Sequence, residues 1–145
     1  MIAIDTNVLL RRLLQDDPEQ SKQANRLFER EERILITDVV LAEAIWTLKG
    51  KRYSIDKAGI VAVITSLLEE PAIVFENTQA VWSALNDFIN AKPAATLNGA
   101  KSADFADALI VNKAKETAKL QSETIKAVYT FDQGALELPD TKSPK

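Results

Sequence analysis

The sequence predicts a three-layer α/β/α fold around a central, mainly parallel sheet of four to five strands. Three observations predict it. Short apolar runs alternate along the chain with segments of helical periodicity, the pattern of parallel strands joined by crossover helices. The first run, Met1-Ile2-Ala3-Ile4, leads straight into Asp5, with almost no chain before it. A compact apolar run of this kind fits a strand buried on both faces. A late run, Ala127-Val128-Tyr129-Thr130, is likewise followed by an acid, Asp132. Open α/β sheets place their ligands beyond the carboxyl ends of the strands.

In order along the chain, Asn7 to Leu14 reads as a helix behind the first strand. Asp17-Pro18-Glu19-Gln20 combines an N-cap, a proline at the first helical position and Gln20 three residues past the cap, so a helix should run from Pro18 to about Arg30. Ile34-Leu35-Ile36-Thr37 is a second strand, and Asp38 is the expected cap of a helix from Val39 to Leu48, stopped by Gly50. After a basic, polar turn, Ile60, Val63, Ile64, Leu67 and Leu68 give helical spacing to the segment from Asp56 to Glu70, which Pro71 ends. Ala72 to Phe75 is a third strand, and Thr78 precedes a helix from Gln79 to about Asn90. Lys92 to Lys101, with Pro93, Asn98 and Gly99, reads as a loop. A helix from Ala103 to about Ala118 leads to the fourth strand, and Leu136-Glu137-Leu138 is a candidate fifth. One domain is expected over residues 1–139, with a flexible tail at 140–145.

At 145 residues and 46% hydrophobic, the chain is long enough for a sizeable core. Its net charge of -3 argues against a protein that coats polyanions generally, but leaves room for a local basic rim. With neither Cys nor His, thiolate and imidazole catalysis and zinc–thiolate sites are excluded. Any metal must be held by oxygen, which points to Mg²⁺ or Mn²⁺. The amino terminus carries no charged leader and no long apolar segment, so a cytoplasmic protein without a membrane span is expected.

Four places put an acid where chemistry could use it. Asp5 and Asp132 each follow a strand, and each fits two roles, a cap for the next turn or a ligand on the sheet rim. Glu43 borders the apolar stripe of its helix, where a charge is either paired or at the solvent line. In Ser102-Ala103-Asp104-Phe105-Ala106-Asp107-Ala108-Leu109-Ile110, the two acids lie one turn apart on one face, in the first turns, where the helix dipole favours negative charge. Asp104 is explained by that dipole alone, whereas Asp107 sits between alanines on an apolar face. Like charges gathered on an apolar site repel, and divalent cations relieve them. Such ions activate water and stabilise the leaving oxygen of a phosphodiester without His or Cys.

At these residues the chain resembles the PIN-domain ribonucleases, and within them the VapC-type toxins of toxin–antitoxin pairs. The matching pieces are Ile4-Asp5-Thr6-Asn7-Val8-Leu9-Leu10-Arg11, Val39-Val40-Leu41-Ala42-Glu43, Ala103-Asp104-Phe105-Ala106-Asp107-Ala108-Leu109-Ile110 and Tyr129-Thr130-Phe131-Asp132, in that order. The resemblance implies endonucleolytic cleavage of RNA by metal-activated water, leaving 3′-hydroxyl and 5′-phosphate ends, with Mg²⁺ or Mn²⁺ as cofactor. It implies Asp5, Glu43, Asp107 and Asp132 as catalytic metal ligands, with Asp104 a less general member of the set. Thr6, Asn7 and Thr130 would orient the carboxylates, and Arg11 would meet a phosphate or an inhibitor's acidic group. The implied partners are RNA, a cognate antitoxin and a second copy of the chain. The helices Val39–Leu48 and Asp56–Glu70, with Trp46 and Tyr53, are candidate dimer surfaces.

The basic residues Arg11, Arg12, Lys49, Lys51, Arg52, Lys101 and Lys113 would supply an RNA-guiding rim, though each also fits an ordinary solvated face. Two other functions suit the composition: a Mg²⁺-binding receiver-type signalling domain, and a non-catalytic module that keeps the fold only to bind a partner. The receiver reading is disfavoured because no paired acids follow the first strand.

Overall fold

The computed structural model describes residues 1–144, and the last residue of the expected tail, Lys145, lies outside them. The chain forms two compact units, Met1–Thr78 and a second beginning at Gln79.

In the first unit, β1 (Ile2–Ala3), β2 (Ile34–Ile36) and β3 (Ile73–Phe75) form a sheet of order β1-β2-β3. Both pairings are parallel, with Ile2 opposite Ile34 and Ile34 opposite Ile73. The helices are α1 (Thr6–Leu14), α2 (Pro18–Arg30), α3 (Asp38–Lys49) and α4 (Lys57–Glu69), so strands and helices alternate as the sequence predicts. Helix α2 starts at Pro18, with the Asp17 side chain accepting from the Gln20 N–H at 3.0 Å. Helix α4 starts the same way, Asp56 accepting from the Gly59 N–H at 2.9 Å. The expected cap of α3 is corrected by one residue: Thr37 is the cap, accepting from the Val40 N–H, and Asp38 is already helical. Leu9, Ile34, Ile36, Leu41, Ile45, Leu48, Ile60 and Ile64 are buried. Each such side chain contributes roughly 1.5–3 kcal/mol. Ala3 is exposed, so the first strand is not buried on both faces throughout.

Apart from the first residue of α5 (Thr78–Asn90), the second unit contains that helix, the hairpin β4 (Ala94–Thr96) and β5 (Gly99–Lys101), α6 (Phe105–Leu120), β6 (Val128–Tyr129), a 3-10 turn at Ala135–Glu137 and β7 (Thr141–Lys142). Phe88 and Phe105 meet edge to face, with ring centroids 6.2 Å apart. Asn112 is buried and donates to Asp87 at 2.8 Å and to the Ala108 carbonyl at 2.9 Å.

Four expectations change here. The sheet has three parallel strands rather than four or five, because β6 pairs with β7 in a separate two-stranded ladder. Thr141–Lys142 thus belong to an ordered strand, where the sequence reading placed a flexible tail. The candidate fifth strand is a 3-10 turn, since Asp132 accepts from the Ala135 N–H at 2.9 Å and so starts a turn that overrides the alternation of Leu136 and Leu138. Finally, the loop from Lys92 to Lys101 holds an antiparallel hairpin that turns at Leu97 and Asn98 and enters its second strand at Gly99, whose φ is 105°. It escaped notice because its strand residues are small, polar and mostly exposed, leaving no apolar alternation to read.

Candidate functional site

On the first unit, the carboxyl end of the sheet carries acids after all three strands. Asp5 follows β1, Asp38 follows β2 and Glu76 follows β3. Asp5 is the N-cap of α1, with Oδ1 accepting from the Val8 N–H at 3.0 Å. That bond occupies one carboxylate oxygen and leaves Oδ2 outside the cap. Glu43 is exposed on α3, at the solvent line beside the apolar stripe. It also has a partner: the Thr6 hydroxyl donates to Glu43 Oε2 at 2.6 Å. Asn7 is exposed and lines a groove with Asp5 and Arg11. Glu76 accepts from the Asp38 N–H at 2.5 Å, a reach from the end of one strand to the start of the helix that follows another.

On the second unit, Asp104 and Asp107 form a reciprocal capping box. The Asp107 N–H donates to Asp104 Oδ1 and the Asp104 N–H to Asp107 Oδ2, each at 2.9 Å. Burial pushes the Asp107 carboxyl up, to about 6, and the neighbouring charges of Asp104 and Asp132 push the same way. Asp132 uses Oδ1 to cap the 3-10 turn, while Lys101 of β5 reaches Asp132 Oδ2 at 2.6 Å. The hydrogen bond from Lys101 holds the Asp132 carboxyl below its ordinary value, with help from the Ala135 N–H. The same bond raises Lys101, and the charges of Asp107 and Asp104 add to the effect. Thr130 donates nothing to the acids directly; its hydroxyl accepts from the Asp132 N–H at 3.0 Å and so fixes the backbone from which that carboxylate projects.

Gly134 matters to this arrangement, and the sequence reading passed over it. Its φ and ψ of -66° and -44° are open to any residue, so the need is spatial rather than conformational. A Cβ there would lie 2.6 Å from the carbonyl carbon of Ser102 and 2.9 Å from the Ala103 nitrogen. The Asp132 turn thus lies flush against the backbone that enters α6. An acid followed two residues later by glycine after a strand is the only signal the sequence offered.

Of the predicted rim cations, several are already engaged. Arg12 stacks 5.2 Å over Phe28 and donates to Asn25, Lys49 lies 5.9 Å from the Trp46 ring, and Arg52 lies 5.1 Å from the Tyr53 ring. Arg11 lines the groove beside Asp5. Arg26 and Arg30 line it too, and neither figured in the sequence reading.

Among the described residues, no three acids stand in a ready-made metal cage. The donor chemistry nonetheless suits a hard divalent cation: every candidate ligand is a carboxylate oxygen, and ionising Asp107 beside Asp104 and Asp132 is costly without added positive charge. No helix among the described residues is long and apolar enough to cross a membrane.

The chain belongs to the PIN domain family, whose profile matches residues 2–140. That family has the three-layer α/β/α architecture, and its members are commonly nucleases. No curated protein matches the sequence significantly.

Proposed function

We propose that this chain is a metal-dependent endoribonuclease that hydrolyses RNA phosphodiester bonds, leaving 3′-hydroxyl and 5′-phosphate ends. The family match over residues 2–140 carries the reading, because it spans all four acids that the proposal uses. Asp5, Glu43, Asp107 and Asp132 would hold Mg²⁺ or Mn²⁺, with Asp104 supporting Asp107. When bound, such an ion supplies a water of lowered pKa and positive charge for the leaving oxygen.

The chain's own residues do the rest. The caps at Asp5 and Asp132 aim their carboxylates by tying one oxygen to the backbone three residues on. Thr6 fixes the rotamer of Glu43. Asp107, with its raised carboxyl, gains most from a nearby cation. Lys101 neutralises Asp132 and stands where it can meet a phosphate oxygen once that acid turns to another cation.

The test is cleavage of a labelled RNA by wild type, Asp5→Asn and Asp107→Asn, with and without EDTA. Both variants should lose cleavage while keeping the fold. Cleavage by either variant at the wild-type rate, or indifference to EDTA, overturns the proposal.

The resemblance to VapC-type toxins supports a finer reading, in which the nuclease is the toxin of a pair and a short antitoxin covers its site. Val39 and Trp46, 67% and 68% exposed on α3, suit a second copy of the chain. Sedimentation of the purified protein as a monomer at micromolar concentration would count against that dimer.

A further inference from the structure

A groove of about 510 Å³ runs between α1 and α2 and takes in Asp5. Its lining carries three guanidinium groups, from Arg11, Arg26 and Arg30, against a single carboxylate. That is a local reversal of charge in a chain whose net charge is -3. Arg26 and Arg30 are four residues apart on α2, so they lie on one face about 6 Å apart along the helix, close to the spacing of successive phosphates in an extended strand.

Their states differ in a useful way. Arg11 is held in place, Nε donating to Gln20 at 2.7 Å and Nη1 to Asp16 at 3.0 Å. Arg26 is exposed and has no ion-pair partner among the described residues, and Arg30 makes only a loose, solvent-exposed pair with Glu31 at 3.3 Å. The floor is aliphatic, from Val8, Ala24 and Leu27, and no aromatic ring lines the groove. Bases would find nothing to stack on, whereas phosphates would find two exposed cations side by side.

We propose that this groove binds the phosphate backbone of a single RNA strand, with Arg26 and Arg30 as its anchors and Arg11 nearest the acids. The inference rests on the nuclease reading above and adds a path for the substrate on the Asp5 side. The groove contributes affinity without sequence preference, because its contacts reach only phosphate and sugar.

The test uses the full chain carrying Asp107→Asn, so that RNA is bound and not cut. Fluorescence anisotropy of a labelled single-stranded RNA is measured across a KCl series. Each phosphate contact removed should lower the slope of log K against log[salt] by about 0.7, so Arg26→Gln with Arg30→Gln should lower it by about 1.4. Arg26→Lys with Arg30→Lys should restore the slope, which separates charge from any disturbance of the helix. In the otherwise wild-type enzyme, the double glutamine variant should raise KM and leave kcat alone.

An unchanged slope in the Asp107→Asn background, with the otherwise wild-type enzyme still cleaving RNA, overturns the groove assignment and spares the nuclease reading. Loss of poly-glutamate binding with RNA binding intact also overturns it, and makes the groove a docking site for an acidic protein segment. A parent protein that neither binds nor cleaves RNA overturns both.

Discussion

Asp107→Asn should make the metal-free protein more stable while it removes the proposed activity. Burial and two neighbouring acids lift the Asp107 carboxyl from 3.8 to about 6. A raised folded-state pKa means that the native protein holds this proton more tightly than the unfolded chain does. The stability linked to Asp107 is therefore complete below 3.8 and is lost as the pH rises through about 6. At about 1.4 kcal/mol per pKa unit, the ionised side chain costs at most about 3 kcal/mol.

The group is only half-buried, and solvent screening reduces that ceiling to roughly 1–2 kcal/mol. Asparagine keeps an oxygen to accept from the Asp104 N–H, but it forgoes about 0.5 kcal/mol of attraction to the helix N-terminus. The net gain is about 1 kcal/mol, a melting temperature roughly 3 °C higher at pH 8. Thermal melts in EDTA at pH 4 and pH 8 check it, and the difference between variant and wild type should vanish at the lower pH. If the variant melts no higher than wild type at pH 8, or if the gap is the same at both pH values, the account of Asp107 is wrong. Saturating Mn²⁺ should reverse the order, since an ion at 100 times its Kd adds about 2.7 kcal/mol to the protein that binds it.

Lys101→Met should let the Asp132 carboxyl rise, because the Lys101 hydrogen bond is the largest influence holding it down. The stability linked to Asp132 is present above 3.8 and lost as the pH falls through its lowered value, so the variant should lose it at a higher pH. Carboxyl carbon NMR follows this directly, and an unmoved titration refutes the pairing. Gly134→Ala should destabilise by about 1–3 kcal/mol, as overpacking against backbone does, since its Cβ would lie 2.6 Å from Ser102. A denaturant midpoint equal to wild type would show that the turn can move aside at no cost.

The alternation of strands and helices was legible in the residues, as was the start of α2, which Asp17 and Pro18 announce. Helices α4 and α6 were read to begin at Asp56 and Ala103, just before their observed first residues Lys57 and Phe105. The hairpin and β7 were not legible, and β6 was read as a strand but placed in the main sheet. The hairpin strands and β7 are two or three residues long and mostly exposed, so neither periodicity nor hydrophobicity marks them. The acids were found by residue type and position, but the reasoning set cap against ligand as rival roles. At Asp5 the cap uses one oxygen and leaves the other, so the two roles coexist. Glu43 was singled out by its place beside the apolar stripe, and its bond from Thr6 joins residues 37 apart in sequence, beyond what local reading detects. Arg26 and Arg30 were missed for a related reason: on α2 alone they are two exposed cations, and only the fold of α1 beside them makes a groove.

The caps at Asp5, Asp104 and Asp132 have a spectroscopic consequence. Each ties a carboxylate oxygen to an amide proton three residues on, at Val8, Asp107 and Ala135. When a carboxylate shares its charge with a cation, the hydrogen bond it accepts weakens and the donating amide's resonance moves. Three backbone signals, none of them belonging to a residue that must be altered, therefore report separately on three acids. An amide titration of the unmodified protein can rank those acids by the cation concentration at which each responds, and can tell a carboxylate that binds from one that merely caps.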